Sequence, residues 1–218
     1  MAAVAMQTVM RSGVTCGAPT APAWTAVKIV IAGGFGVGKT TMVASVSEIG
    51  PVTTDVALTP ASRALDDTSP VPGKTATTVA MDFGRITLPG DVALYLFGVP
   101  GQQRFWFMWD AACRGALGAV VLVDVRRLTD SFGPIDYFER SGLPFVVVVN
   151  QFDGAPSYPQ PVLREALALP GAVPVLACDA RNREGAKQVL ITLVEHLLAR
   201  RRRPAAPPPA APPGTDLR

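Results

Sequence analysis

The stretch Gly33-Gly34-Phe35-Gly36-Val37-Gly38-Lys39-Thr40-Thr41 constrains this chain more than any other. It follows Val27-Lys28-Ile29-Val30-Ile31-Ala32, an almost unbroken apolar run that reads as a buried parallel strand. It precedes Met42-Val43-Ala44-Ser45-Val46-Ser47-Glu48-Ile49, which reads as a helix. A G-x-x-x-x-G-K-[ST] pattern between a strand and a helix is a phosphate-binding loop. Glycines let the backbone wrap closely and turn its N–H groups toward one point, and the helix N-terminus adds positive partial charge there. Lys39 brings a full charge for the β- and γ-phosphates, and the Thr40 hydroxyl can ligate magnesium. The plain alternative, a glycine-rich turn that only packs closely, does not explain the Lys39-Thr40 pair at this spacing.

Around that loop the chain alternates strand and helix. A strand over about 26–33 is followed by a helix over about 38–49, stopped by Gly50-Pro51. Residues 51–77 show no periodicity and read as a long functional loop. Residues 79–88 and 92–97 form an antiparallel hairpin about Pro89-Gly90-Asp91 at a sheet edge. Buried strands follow over 117–124, 145–149 and 173–178, with helices over 129–141, 160–169 and 183–200. This is an α/β doubly wound sheet of the P-loop kind, mostly parallel with one antiparallel edge strand and helices on both faces. Residues 1–23, rich in Ala, Pro and Thr, read as a disordered leader, 24–200 as the folded domain, and 201–218 as an Arg/Pro-rich disordered tail.

Ligands of such sheets sit beyond the C-terminal ends of the strands. Four segments fall there: the phosphate loop, residues 98–102, residues 150–153 and residues 178–181. In Asn150-Gln151-Phe152-Asp153 the Asp153 carboxylate can accept both N1–H and the 2-amino group of guanine. Adenine offers neither donor and would leave a buried carboxylate unpaired. Asn150 would tie this loop to the phosphate loop. A strand-end Asx turn is the alternative for these two residues. The backbone of Cys178, Asp179 and Ala180 can meet the base O6, and Arg181 can pack over the base. The Cys178 thiol itself reads as a small buried hydrophobe. The Gly101 amide would sense the γ-phosphate and Gln102 would orient the attacking water. Thr78 is chosen as the second hydroxyl on magnesium, with Thr75 and Thr77 as rivals. Phe105, Trp106, Phe107 and Trp109 are either core or a partner surface. His196, near the end of the last helix, reads as a solvent-facing residue.

The net charge of +3 is unevenly spread. Residues 200–218 carry five Arg and one Asp, whereas 24–199 carry 14 basic and 16 acidic groups. A mildly acidic body argues against nucleic-acid binding. Three dispersed cysteines without a C-x-x-C pair support neither a disulfide framework nor a zinc site, and suit a reducing cytoplasm. No apolar run approaches the ~20 residues that span a membrane. The run Arg200, Arg201, Arg202 and Arg203 offers peripheral contact with anionic lipid, at most about 1 kcal/mol per charge. A solvated helix end is the simpler reading.

The segments GGFGVGKTT, TTVAMDFG, GVPGQQRF, NQFD and ACDAR, in this order, resemble those of small Ras-like bacterial GTPases. They are most similar to the branch that includes the MglA-type gliding-motility GTPase and the GTP-binding proteins of actinobacterial conservon operons. The resemblance spans about 26–200 and implies a GTP/GDP switch that uses Mg2+ and hydrolyses slowly alone. The implied partners are a roadblock/LC7-type regulator and a sensor-kinase-like protein. The chain departs from the Ras pattern at three positions. Gly98 stands where an Asp usually holds magnesium through water, as MglA-type proteins also lack it. Phe35 occupies a loop position that is normally small, where it crowds an arginine supplied in trans. Gln151 replaces the Lys of the guanine motif. A non-hydrolysing nucleotide-binding scaffold and a P-loop small-molecule kinase are the competing functions.

Overall fold

The computed structural model describes residues 24–50, 52–57 and 78–202, with 52–57 and 78–80 as backbone only. The expectations for 1–23, for Thr75 and Thr77, and for the tail beyond 202 lie outside the described residues.

The elements run β1 (Thr25–Gly33), α1 (Lys39–Val46), β2 (Val52–Ala57), β3 (Thr78–Leu88), β4 (Val92–Gly98), α2 (Trp109–Cys113), β5 (Gly118–Val123), α3 (Phe132–Ser141), β6 (Phe145–Asn150), α4 (Gln160–Ala166), β7 (Val175–Cys178) and α5 (Arg183–Arg202). Tight 3₁₀ turns over Gln103–Met108 and Val125–Ser131 lead into α2 and α3. The sheet order is β2-β3-β4-β1-β5-β6-β7. All neighbours pair in parallel from β4 to β7, and β3 is antiparallel to both β2 and β4.

Strand alternation sorts the apolar side chains onto two faces. Ile29, Ile31, Val120, Leu122, Val146 and Val148 pack under α1 and α5, against Met42, Val43, Val46, Val189 and Leu193. Val30, Ala32, Val121, Val123, Val147 and Val149 face Trp109, Ile135, Phe138, Leu163 and Leu167. Every residue of β5 and β6 is buried, as near-continuous valine runs between two helical layers should be. Each such aliphatic contributes about 1.5–3 kcal/mol by leaving water. Trp109, fully buried, stacks with Phe138 and donates from Nε1 to the Pro100 carbonyl at 3.0 Å. The aromatic segment is therefore divided: Phe105 and Trp109 are core, and Phe107 points outward.

The structure departs from the sequence reading in several places. Val52–Ala57, expected as loop, is the outermost strand and pairs with β3 from Val52↔Phe83 to Ala57↔Thr78. Its Val and Thr residues carry strand propensity without an apolar alternation to reveal it. Helix α1 is shorter than expected. Gly38 has φ 102 and precedes it, and Ser47 turns extended, after which the Glu48 amide pairs with the Arg85 carbonyl of β3 at 2.8 Å. Gly50-Pro51 is not what stops it. The expected helix over 129–141 begins at Phe132, because the chain up to Ser131 is wound as a 3₁₀ turn instead. Helix α5 runs on through Arg202. His196 is half-buried and its Nε2 is buried, with no hydrogen-bond partner among the described residues, so it does not face solvent as expected. Burial lowers its pKa, with Arg200 nearby acting in the same direction.

Candidate functional site

The phosphate loop is built by close approach. Gly33 has φ 136 and its missing Cβ would lie 2.4 Å from the Leu122 carbonyl oxygen on β5. A Cβ at Gly38 would lie 2.5 Å from Asn150 Nδ2. Only glycine allows both the left-handed backbone and the contact. Within the loop Val37 is buried in the core, whereas Phe35 projects with 64% of its surface exposed. Lys39 opens α1 and is buried; its Nζ donates to the Gly34 carbonyl at 2.7 Å and the Gly33 carbonyl at 3.2 Å. Burial pulls its pKa down to about 8, and the Asp82 carboxylate opposes that shift. A cation held in this way lies along the loop rather than in bulk water. Thr40 and Thr41 follow on the exposed side of α1.

Thr40 leads to a residue that the sequence reading missed. Its Oγ1 donates to Asp82 Oδ2 at 2.7 Å. Asp82 sits on β3 directly opposite Gly98 of β4. A Cβ at Gly98 would come within 2.8 Å of Asp82 Cβ and Oδ2. The carboxylate absent at position 98 is thus replaced, in the same room, by one reaching across from the neighbouring strand. The signal was available: the tight turn pairs Leu88 with Val92, and counting inward along the hairpin pairs Asp82 with Gly98. For a magnesium ion, a hydroxyl and one carboxylate side by side are a fitting donor set, since Mg2+ is usually held by one or two carboxylates plus phosphate and water. Among the described residues no cluster of three or more His, Cys, Asp or Glu could hold a metal unaided. Thr78 opens β3, and its side chain lies outside the described residues.

The segment after β4 lies on the phosphate loop. Gly101 packs so closely that a Cβ would be 2.5 Å from the Gly34 carbonyl carbon and 2.6 Å from the Gly33 oxygen. Gln102, next in the chain, has Oε1 engaged by Arg104 Nε at 2.9 Å.

Asn150, at the end of β6, is buried and joins two segments. Its Nδ2 donates to the Val37 carbonyl at 2.9 Å, and its Oδ1 accepts from the Ala180 amide at 2.9 Å. The Gln151 amide bonds the Cys178 carbonyl at 2.9 Å, while its side chain is exposed. The Asp153 carboxylate, expected to be buried, is instead 84% exposed, and Arg181 meets it through two hydrogen bonds of 2.8 Å. Arg181, expected over a base, instead spans Asp153 and Asp179. It holds both carboxyls below their ordinary range, first through its hydrogen bonds. The Cys178 thiol is buried, and burial raises its pKa. Arg126, not singled out by the sequence reading, lies 3.9 Å over the Phe152 ring while its Nε and Nη2 bind the buried Asp124 carboxylate.

Comparison with known proteins fits this construction. Residues 31–200 match a family described as conserved hypothetical ATP binding protein. An uncharacterised protein of Methanocaldococcus jannaschii is 30% identical over 129 residues, covering 58% of this chain and 71% of that protein. Among solved structures, the G domain of the T. maritima FeoB iron transporter aligns with a TM-score of 0.55 at 19% identity, covering 78% of this chain and 98% of that domain. The GDP form of the FeoB cytosolic domain aligns with a TM-score of 0.58 at 18% identity, covering 80% of this chain. This chain spans 64% of the length of that cytosolic domain. The loop geometry, the sheet order and the family match agree: this chain is a P-loop protein with a G-domain-like fold, and it belongs to the conserved hypothetical ATP binding protein family.

Proposed function

We propose that the protein is a guanine-nucleotide switch that binds GTP and GDP with Mg2+ and hydrolyses GTP slowly until a partner stimulates it. The observation that carries this reading is Asn150, which joins the phosphate loop at Val37 to the loop of Ala180, whose neighbour Arg181 meets Asp153. A phosphate site alone would suit ATP equally, as the family description has it. An acceptor-only carboxylate on the base-facing loop suits guanine, whose N1–H and 2-amino group are donors, and leaves adenine unmatched.

The roles follow. Lys39 and the loop amides take the phosphate charge. Thr40 and Asp82 would hold Mg2+, which when bound draws charge from the β- and γ-phosphates. The Gly101 amide senses the γ-phosphate. Gln102 orients the attacking water once its Oε1 leaves Arg104, a rearrangement suited to a regulatory partner. That Gln102 is engaged in the described state also favours a second reading, a nucleotide-binding scaffold that does not hydrolyse. Affiliation with the MglA-type and conservon branch, a roadblock/LC7-type regulator, a sensor-kinase-like partner, and a cytoplasmic location with peripheral contact through the arginine run all belong to this proposal. No helix among the described residues is long and apolar enough to cross a membrane.

Single-turnover hydrolysis of GTP by the isolated protein tests the switch. The expected rate lies between ~10⁻⁴ s⁻¹, found without an arginine at the phosphates, and ~10⁻² s⁻¹, found with one in cis. Gln102→Leu should lower it. Turnover near ~1 s⁻¹ would contradict a switch, and no hydrolysis over many hours would leave the scaffold.

A further inference from the structure

We propose that the Arg181 guanidinium stands in for the edge of guanine: it holds the recognition carboxylate of Asp153 until a guanine nucleotide displaces it. The proposal rests on the guanine reading above and adds to it a latch that sets how fast the base site opens.

The match is chemical. Arg181 Nη1 donates to Asp153 Oδ2 and Nη2 donates to Asp153 Oδ1, both at 2.8 Å. Two N–H groups on either side of one carbon thus meet the two carboxylate oxygens side by side, the bidentate fork geometry. Guanine offers the same unit, N1–H and the 2-amino N–H on either side of one ring carbon. The two forks need the same edge of the same carboxylate, so one excludes the other. The contact is also built in. Asn150 Oδ1 accepts from the Ala180 amide at 2.9 Å, and the Gln151 amide bonds the Cys178 carbonyl at 2.9 Å, which ties the loop of Asp153 to the loop of Arg181 through the backbone. Asp179 then aims the arginine. Its Oδ1 accepts from the Arg181 amide and from Nε, both at 2.9 Å, and its Oδ2 accepts from Nη2 at 2.8 Å. These bonds leave Nη1 out, so the guanidinium can part from Asp153 and keep Asp179 as its partner. With Asp153 84% and Arg181 56% exposed, the pair lies in water and is weak enough for a ligand to open.

The latch acts on arrival. Apparent association is slowed by the fraction of molecules in which Asp153 is released. Guanine restores both hydrogen bonds that Asp153 gives up, whereas adenine moves the fork aside and returns neither. Dissociation starts with the arginine already on Asp179, so the latch leaves that rate alone.

Stopped-flow association and dissociation of a fluorescent GDP, with the full chain and its Arg181→Ala and Arg181→Lys variants, test this. Arg181→Ala should associate about two- to fivefold faster than wild type with an unchanged dissociation rate. Arg181→Lys, which keeps the charge but has no fork, should also associate faster. Raising the salt from ~0.05 to ~0.5 M screens an exposed ion pair, so the ratio of the Arg181→Ala rate to the wild-type rate should fall toward one. Slower association or faster dissociation in Arg181→Ala would overturn the proposal and make Arg181 a support of the bound base. Equal association rates in Arg181→Ala and wild type at low salt, or a ratio that does not change with salt, would also overturn it and leave the guanine reading intact. Arg181→Lys as slow as wild type would overturn the fork match, because charge alone would then suffice. Failure of both wild type and Arg181→Ala to bind GDP would instead remove the guanine reading, and this proposal with it.

Discussion

At the residue scale the site is defined by where charge is held before any nucleotide arrives. Lys39 is buried with its pKa lowered to about 8, and bound phosphates favour its charged form. At pH 7 it is already protonated, so GDP affinity should be flat there. Above pH 8 binding must take up a proton, and the dissociation constant should rise by up to about tenfold per pH unit. Without nucleotide the sign is opposite. The unfolded chain holds this proton up to its ordinary value of 10.5, so the Lys39 contribution to stability rises with pH between about 8 and 10.5. Isothermal titration at pH 7, 8 and 9.5 checks the binding half, and Lys39→Ala should nearly abolish binding. Retention of near-normal affinity by that variant would remove the phosphate-loop assignment. Asp82 makes a second prediction. Replacing it with Asn should raise the Mg2+ concentration needed to retain GDP by about 10- to 100-fold. Nucleotide retention against chelator measures this without reference to catalysis, and an unchanged Mg2+ requirement would exclude Asp82 as the carboxylate that stands in for position 98.

At the element scale, the β3–β4 hairpin and the central valine strands do most to position the site. Trp109 closes one face of the core under β4, where its indole N–H meets Pro100 just before Gly101. Trp109→Ala should cost about 3–5 kcal/mol in denaturant unfolding. A loss below ~1 kcal/mol would mean that the segment is not anchored there. Elements whose residues are buried on both faces were legible in the sequence, because continuous runs such as Val146-Val147-Val148-Val149 admit few other placements. Strand β2 was not, because Val52–Ala57 owes its place to pairing with β3 rather than to an apolar pattern of its own. In the site, the spacing of glycines, Lys39, Asn150 and Asp153 was readable along the chain. Asp82 was readable only by counting the register across the hairpin from Leu88 and Val92 to Gly98, a step that residue type alone does not prompt.

At the scale of the whole molecule, the described residues form one sheet with its helices. From their sequence we propose that 1–23 and 204–218 are needed neither for folding nor for nucleotide binding. Deleting both should leave the melting temperature and GDP affinity of the remaining chain unchanged, and unfolding of the truncated protein would refute that. The central claim is the choice of base, and the melting temperature with GDP–Mg2+ against ADP–Mg2+ tests it most directly. At a hundredfold excess over Kd a ligand adds ~2.7 kcal/mol of stability, and at this size each kcal/mol raises the melting temperature by ~2–4 °C. GDP should therefore raise it by roughly 5–10 °C. ADP, which offers the Asp153 carboxylate neither donor, should shift it by about a degree or less at the same concentration. Asp153→Asn should erase the difference, because an amide cannot accept both guanine donors in place of the carboxylate. Equal shifts from the two nucleotides in the unmutated protein would contradict the account and favour an ATP-binding kinase.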